Sequence, residues 1–169
     1  SMSVSDKKAN RENTKYDICL SYEPPSASDS LVLKVKKIFC GIFASVGYIK
    51  KYGEPENMED LFANHRICDK SSHVIYIPGW TEKMLKANKL ALVSDSLYSF
   101  RYTIEKGIGI GVCPLYYGYK GLQRLKNIHF KFALPVYLSV HKTTMDTPRV
   151  NVVLECLIKA FNADKYAED

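Results

Sequence analysis

Ser94, Asp95 and Ser96 are three consecutive oxygen-bearing side chains placed just before a helical pattern. Such oxygens accept from the unpaired N–H groups of a helix start, and the same groups can meet a ligand, so capping and ligand contact are compatible readings. Other chemistries fit less well. His65, Cys68 and His73 invite a metal reading, but structural zinc needs four ligands and the chain has no Cys-x-x-Cys or His-x-x-x-His pair. Gly107, Gly109 and Gly111 follow a helix and precede a strand, the reverse of a dinucleotide fingerprint. With no paired carboxylates, nucleophile elbow or phosphate loop in view, no enzyme is expected, and neither a cofactor nor a metal. The five cysteines, at 19, 40, 68, 113 and 156, are scattered, odd in number and mostly within apolar patterns. They read as buried free thiols in a reducing compartment.

The stretch 90–114 supplies the elements that position these residues. Leu90, Ala91, Leu92 and Val93 form an apolar run of the kind that makes a strand buried on both faces. Leu97, Phe100, Arg101, Ile104 and Glu105 follow at helical spacing, with Leu97, Phe100 and Ile104 on one face. Gly107 falls where a left-handed cap belongs, and Ile108, Ile110 and Val112 resume a strand that ends at Pro114. The result is a strand-helix-strand crossover, the building unit of a parallel sheet.

Around it, residues 1–15 are polar and read as a disordered lead, with Ser1-Met2 as an expression remnant. Strands are expected at 16–22, 31–33, 38–44, 73–77, 122–125 and 132–141. Residues 24–30 are a loop by composition, and Tyr48 to Tyr52 is a short helix stopped by Gly53. Met58, Leu61 and Phe62 share a helix face, and Thr81 is placed to cap a short helix through Lys86. Trp80 reads as a core or lobe-edge aromatic, with ligand contact as the alternative. The stretch 115–121 is too short and glycine-interrupted for a full helix. Thr147-Pro148 opens a final helix whose stripe of Val150, Val153, Leu154, Leu157, Ile158 and Phe161 packs on the sheet.

Composition sets the outer bounds. A chain of 169 residues, 46% of them hydrophobic, suits one domain or two small lobes with a packed core. No apolar run reaches membrane-span length and the N-terminus lacks the apolar core of a signal peptide, so a soluble, cytoplasmic protein is expected. The net charge of +6 comes from dispersed lysines and arginines, with small clusters at Lys34, Lys36, Lys37 and at Lys50, Lys51. A solvated basic surface fits that dispersal better than a nucleic-acid footprint.

Several motifs, in order, carry a family resemblance. Val93-Ser94-Asp95-Ser96, ten helical residues, Gly107-Ile108-Gly109-Ile110-Gly111 and Cys113-Pro114 resemble the second subdomain of the effector-binding domain of LysR-type transcriptional regulators. The passage 45–55, with Val46 where the family usually has proline, and Glu59-Asp60-Leu61 followed by His65-Arg66, are similar to further stretches of the same domain. So are the strand at 16–22, the Thr-Pro-Arg-Val opening of the last helix, and Trp80. The resemblance covers residues 16–161. It departs after Pro114, where the family has a helix, and at the N-terminus, where neither a helix-turn-helix nor the opening strand-helix-strand-helix is present.

The resemblance implies an α/β, two-lobed fold like type 2 periplasmic binding proteins, with two crossing hinge strands and an incomplete first lobe. The first subdomain would comprise 16–58 and 136–169, and the second 59–135. It implies a small-molecule effector bound between the lobes, near Ser21, Tyr22, Ala44, Ser45, Ser94, Asp95, Ser96 and Pro114. An ionised Asp95 carboxylate would oppose an anion, so a neutral, amphoteric or cationic effector is expected. The parent would reach DNA through an N-terminal helix-turn-helix and act as a homo-oligomer, without membrane contact. Alternatives are a solute-binding protein of the same fold and an enzyme on this scaffold.

Overall fold

The structure is a computed structural model that describes residues 16–25, 29–71, 76–116, 121–130 and 132–163. The lead at 1–15 and most of the strand expected at 73–77 lie outside the described residues. The fold is mixed α/β, and the chain divides into two compact units. Unit 1 holds Cys40–Phe132; unit 2 holds the described residues up to Phe39 and from Ala133. The first switch therefore falls inside a strand at 39/40.

That strand, β2 (Ser30–Ser45), is a single element where the sequence suggested two. The lysines between its apolar runs do not turn the chain, because no glycine, proline or asparagine lies among them. Lys36 instead extends from the strand to donate to the Phe161 carbonyl at 2.8 Å, within unit 2. Also in unit 2, β1 (Ile18–Ser21) pairs antiparallel with β7 (Phe132–His141), in register from Ile18 with Val140 to Ser21 with Tyr137. The final helix, α5 (Pro148–Ala163), buries Val150 and Leu154 against Leu138 and Val140. Leu157, Ile158 and Phe161 pack there as expected, but Val153 is 49% exposed, because it lies on the flank of the stripe.

Unit 1 is a mixed sheet covered on both faces. After β2 come α1 (Val46–Tyr52), α2 (Met58–Asn64) and β3 (Ile67–Lys70), a strand for which the sequence reading had no expectation. Next are α3 (Trp80–Leu85), β4 (Leu90–Ser94), α4 (Leu97–Glu105), β5 (Gly111–Pro114) and β6 (Leu122–Arg124). β3 and β4 are parallel, and β3 joins the segment entering β5 through an Ile67–Ile110 parallel bridge. β5 and β6 both pair antiparallel with β2. The β4-α4-β5 crossover thus exists as expected, with β3 lying between its two strands.

Alternation along the strands divides the core. Cys40, Ile42 and Ala44 of β2, with Val112 of β5, face Tyr48, Leu61, Phe62 and Trp80. Phe43, Cys68 and Cys113 face the other way, against Phe100 and Ile104 of α4. Burying each of these large α4 side chains stabilises by roughly 1.5–3 kcal/mol.

Three local expectations are corrected. β4 is not buried on both faces: among the described residues it pairs only with β3, and as an edge strand it leaves Leu90 50% and Val93 51% exposed. The helix expected to follow a cap at residue 81 begins instead at Trp80, and its cap position is Gly79, in the left-handed conformation with φ 67°. Cys156 is exposed rather than buried, since it lies on the α5 face away from the sheet, whereas Cys40, Cys68 and Cys113 are buried free thiols.

Candidate functional site

Strand direction sorts the expected site residues. β3, β4 and the segment entering β5 run parallel, so Lys70, Ser94 and Pro114 lie at one edge of the sheet, their carboxyl ends. β2 runs against β5, with Cys40 opposite Pro114 and Phe43 opposite Gly111. Ala44 and Ser45 therefore lie at the opposite, amino-terminal edge, about 17 Å of strand away from Cys40. The structure brings Ser94, Asp95, Ser96 and Pro114 to one edge of unit 1 and separates Ala44 and Ser45 from them.

Each side chain has a local task. The Ser96 hydroxyl accepts from the Ser99 N–H at 3.3 Å and caps α4. The Ser94 hydroxyl accepts from the Ser96 N–H at 3.1 Å and fixes the turn into that helix. Asp95 is exposed between them. Ser96 thus fills the capping role and Ser94 braces the turn before it, while α4 directs its positive dipole end toward this edge. Ser45 caps a different helix: its hydroxyl accepts from the Tyr48 N–H at 3.1 Å and is 6% exposed. Ala44 is fully buried. In unit 2, Ser21 donates to the Glu23 carbonyl at 2.7 Å, and Tyr22 is exposed at the end of β1.

The carboxyl edge also carries residues absent from the sequence reading. Lys70 pairs with Ser94 across β3 and β4, and the Ser71 N–H donates to the Ser94 carbonyl at 3.0 Å. The polar ending of Ile67-Cys68-Asp69-Lys70 was the available signal, masked because four residues are too few to show a period. Asp69, 3% exposed, accepts from the Trp80 indole N–H at 2.9 Å. Trp80 is itself 2% exposed and meets Phe62 edge-to-face, so it is a core aromatic that satisfies a buried carboxylate.

His65 has a structural setting. Its Nδ1 lies 3.3 Å from the Tyr48 hydroxyl, and its Nε2 lies 3.7 Å from Asp60. The Tyr48 hydroxyl also accepts from the Arg66 N–H at 3.0 Å, and burial pushes its pKa up. Among the described residues, no group of His, Cys, Asp and Glu has the arrangement of a metal site. No helix among them is long and apolar enough to cross a membrane.

Several solved structures share this architecture. The regulatory domain of CrgA, a LysR-type transcriptional regulator from Neisseria meningitidis, matches 86% of this chain and 75% of its own at 18% identity, with a TM-score of 0.66. The regulatory domain of CcmR from Synechocystis PCC6803, in complex with 2-PG, matches 87% and 74% at 13% identity, with a TM-score of 0.61. Full-length AphB, the virulence activator of Vibrio cholerae, matches 95% of this chain at 14% identity and a TM-score of 0.66, and this chain spans 57% of it. No protein-family model matches the chain, and no curated protein sequence does. The chain matches LysR-type regulatory, effector-binding domains in structure over most of its length, and at these identities the likeness is one of fold.

Proposed function

We propose that this chain is the effector-sensing domain of a LysR-type DNA-binding transcriptional regulator, built as a type 2 periplasmic-binding-protein-like fold with an incomplete first lobe. The observation that carries this reading is the likeness of fold to regulatory domains of such regulators over most of the chain. The CcmR complex with 2-PG supports a small-molecule ligand for this architecture. The effector contacts proposed in unit 1 are Ser94, Asp95, Ser96 and Pro114, joined by Lys70, since ligands of open α/β sheets bind outside the carboxyl ends of strands. Ser21 and Tyr22 in unit 2 are a second proposed contact set. Ala44 and Ser45 are better assigned to the core and to the α1 cap.

Asp95 beside the α4 dipole would suit a ligand with both an acceptor and a cationic group, such as an amino acid. Effector binding would bias the parent between two conformations, and its helix-turn-helix, as a homo-oligomer in the cytoplasm, would carry that bias to DNA. No catalytic or cofactor role is assigned.

The test is a thermal melt with amino acids, aromatic acids, short carboxylates and 2-PG. A ligand that binds only the folded form raises the midpoint by mass action, by about 2.7 kcal/mol at a hundredfold excess over Kd. An amphoteric hit weakened by Asp95→Asn is expected. A hit that survives substitution of Ser94, Asp95 and Ser96 would move the site elsewhere, and no shift with any compound would count against sensing by this chain.

A further inference from the structure

The amino-terminal edge of the unit 1 sheet gathers cations and apolar side chains that the proposed sensing role does not use. Arg66 enters β3, Lys89 enters β4 and Lys106 follows α4, while Lys51 lies in the last turn of α1. Hydrogen bonds and contacts hold these segments together. The Arg66 N–H donates to the Tyr48 hydroxyl of α1, and the Ile67 N–H donates to the Lys89 carbonyl at 2.9 Å. A Cβ at Gly107 would lie 2.9 Å from the Ser45 hydroxyl, so the exit of α4 abuts the start of α1.

All four cations are exposed, and none has a carboxylate in ion-pair reach among the described residues. Lys51 lies over the Tyr52 ring at 4.9 Å and Lys106 over the Tyr102 ring at 5.2 Å. Lys51 beside the Tyr52 phenol, with Arg66 adding to the field, holds that phenol below its ordinary range. On the same segments, Val46 is 42%, Tyr52 44% and Ile108 41% exposed.

We propose that this edge is a docking surface for an acidic, amphipathic protein segment, whose carboxylates pair with Lys51, Arg66, Lys89 and Lys106 while its apolar side chains cover Val46, Tyr52 and Ile108. Charge complementarity selects an acidic partner over a second basic copy of this chain. The aliphatic component selects protein over nucleic acid: phosphates would meet the cations, but nothing in a phosphate backbone covers Val46 and Ile108, and lysine ammonium groups already occupy a face of both tyrosine rings.

The test uses the whole chain and a short fluorescent peptide of repeated Glu-Glu-Leu, read by anisotropy at low salt. Saturable binding is expected, weakened about tenfold by Lys51→Glu with Arg66→Glu, since each reversal replaces an attraction to the peptide's carboxylates with a repulsion. Lys70→Glu, at the opposite edge, should leave the affinity within about twofold. Lys51→Glu with Lys106→Glu serves as a second reversal, and unchanged melts identify the variants that fold. Three results would each overturn the proposal: equal binding by a folded reversal variant, equal binding of a Glu-Glu-Ser peptide, or tighter binding of oligothymidylate than of the peptide.

Discussion

Gly109 and Gly111 have no room for a methyl group. A Cβ at Gly109 would lie 2.7 Å from Cys68 Sγ and 2.8 Å from the Arg66 carbonyl, and one at Gly111 would lie 2.6 Å from Ile104 and 2.9 Å from Phe100. These glycines, spaced like a dinucleotide fingerprint but in the reverse helix-to-strand order, thus let β3 and α4 approach the strand. Gly109→Ala must displace backbone, not a flexible side-chain tip, and should cost about 1–3 kcal/mol in a urea titration. An unchanged midpoint would mean that β3 and this strand separate freely. Trp80 makes a parallel point: its indole N–H satisfies Asp69 in the core, which leaves no need for a ligand to explain it.

The cap hydroxyls of α1 and α4 look alike in sequence and sit at opposite edges of the same sheet. Loss of either should cost about 1 kcal/mol, the ordinary value for a serine cap. Their effects on ligand response should differ. In paired melts with and without an effector, Ser45→Ala should lower both midpoints equally and keep the difference, whereas Ser96→Ala should shrink it. Equal loss in both variants would mean that helix caps, not position on the sheet, control binding. β2 supplies the other lesson at this scale: lysines between two apolar runs looked like a connection, yet nothing there turns the chain, and the strand continues for 16 residues.

The whole molecule couples buried thiols to pH. Burial pushes Cys40 and Cys68 up from 9.0 to about 12, and pushes Cys113 higher still. Below pH 9 the thiols are protonated in both states, and their contribution to stability is fully present. Above pH 9 the unfolded chain releases protons that the folded chain keeps, so stability falls as pH rises, until the folded thiols titrate near 12. The expected slope is about 1.4 kcal/mol per pH unit for each thiol. Urea midpoints should therefore be flat from neutrality to about pH 9 and decline beyond it, less steeply in Cys68→Ala. A flat profile to pH 11 would show that these thiols are not held protonated by the fold.

Local chemistry was legible in the sequence. The Ser96 cap, the helix face of Leu97, Phe100 and Ile104, the left-handed Gly107 and the final helix depend on residues within a few positions of one another, and the order of such motifs carried the family likeness. The edge on which each cap lies depends on strand direction and register, set by partners tens of residues away: Cys40 with Pro114, Ile67 with Ile110. That is why Ser45 and Ser96 were placed together by sequence and apart by the fold. β3 went unseen for a related reason, since four residues carry no period of their own, and their identity as a strand comes from the neighbours they bond. Likewise Leu90 to Val93 carries the same apolar run whether central or at an edge, and only the sheet order decides which.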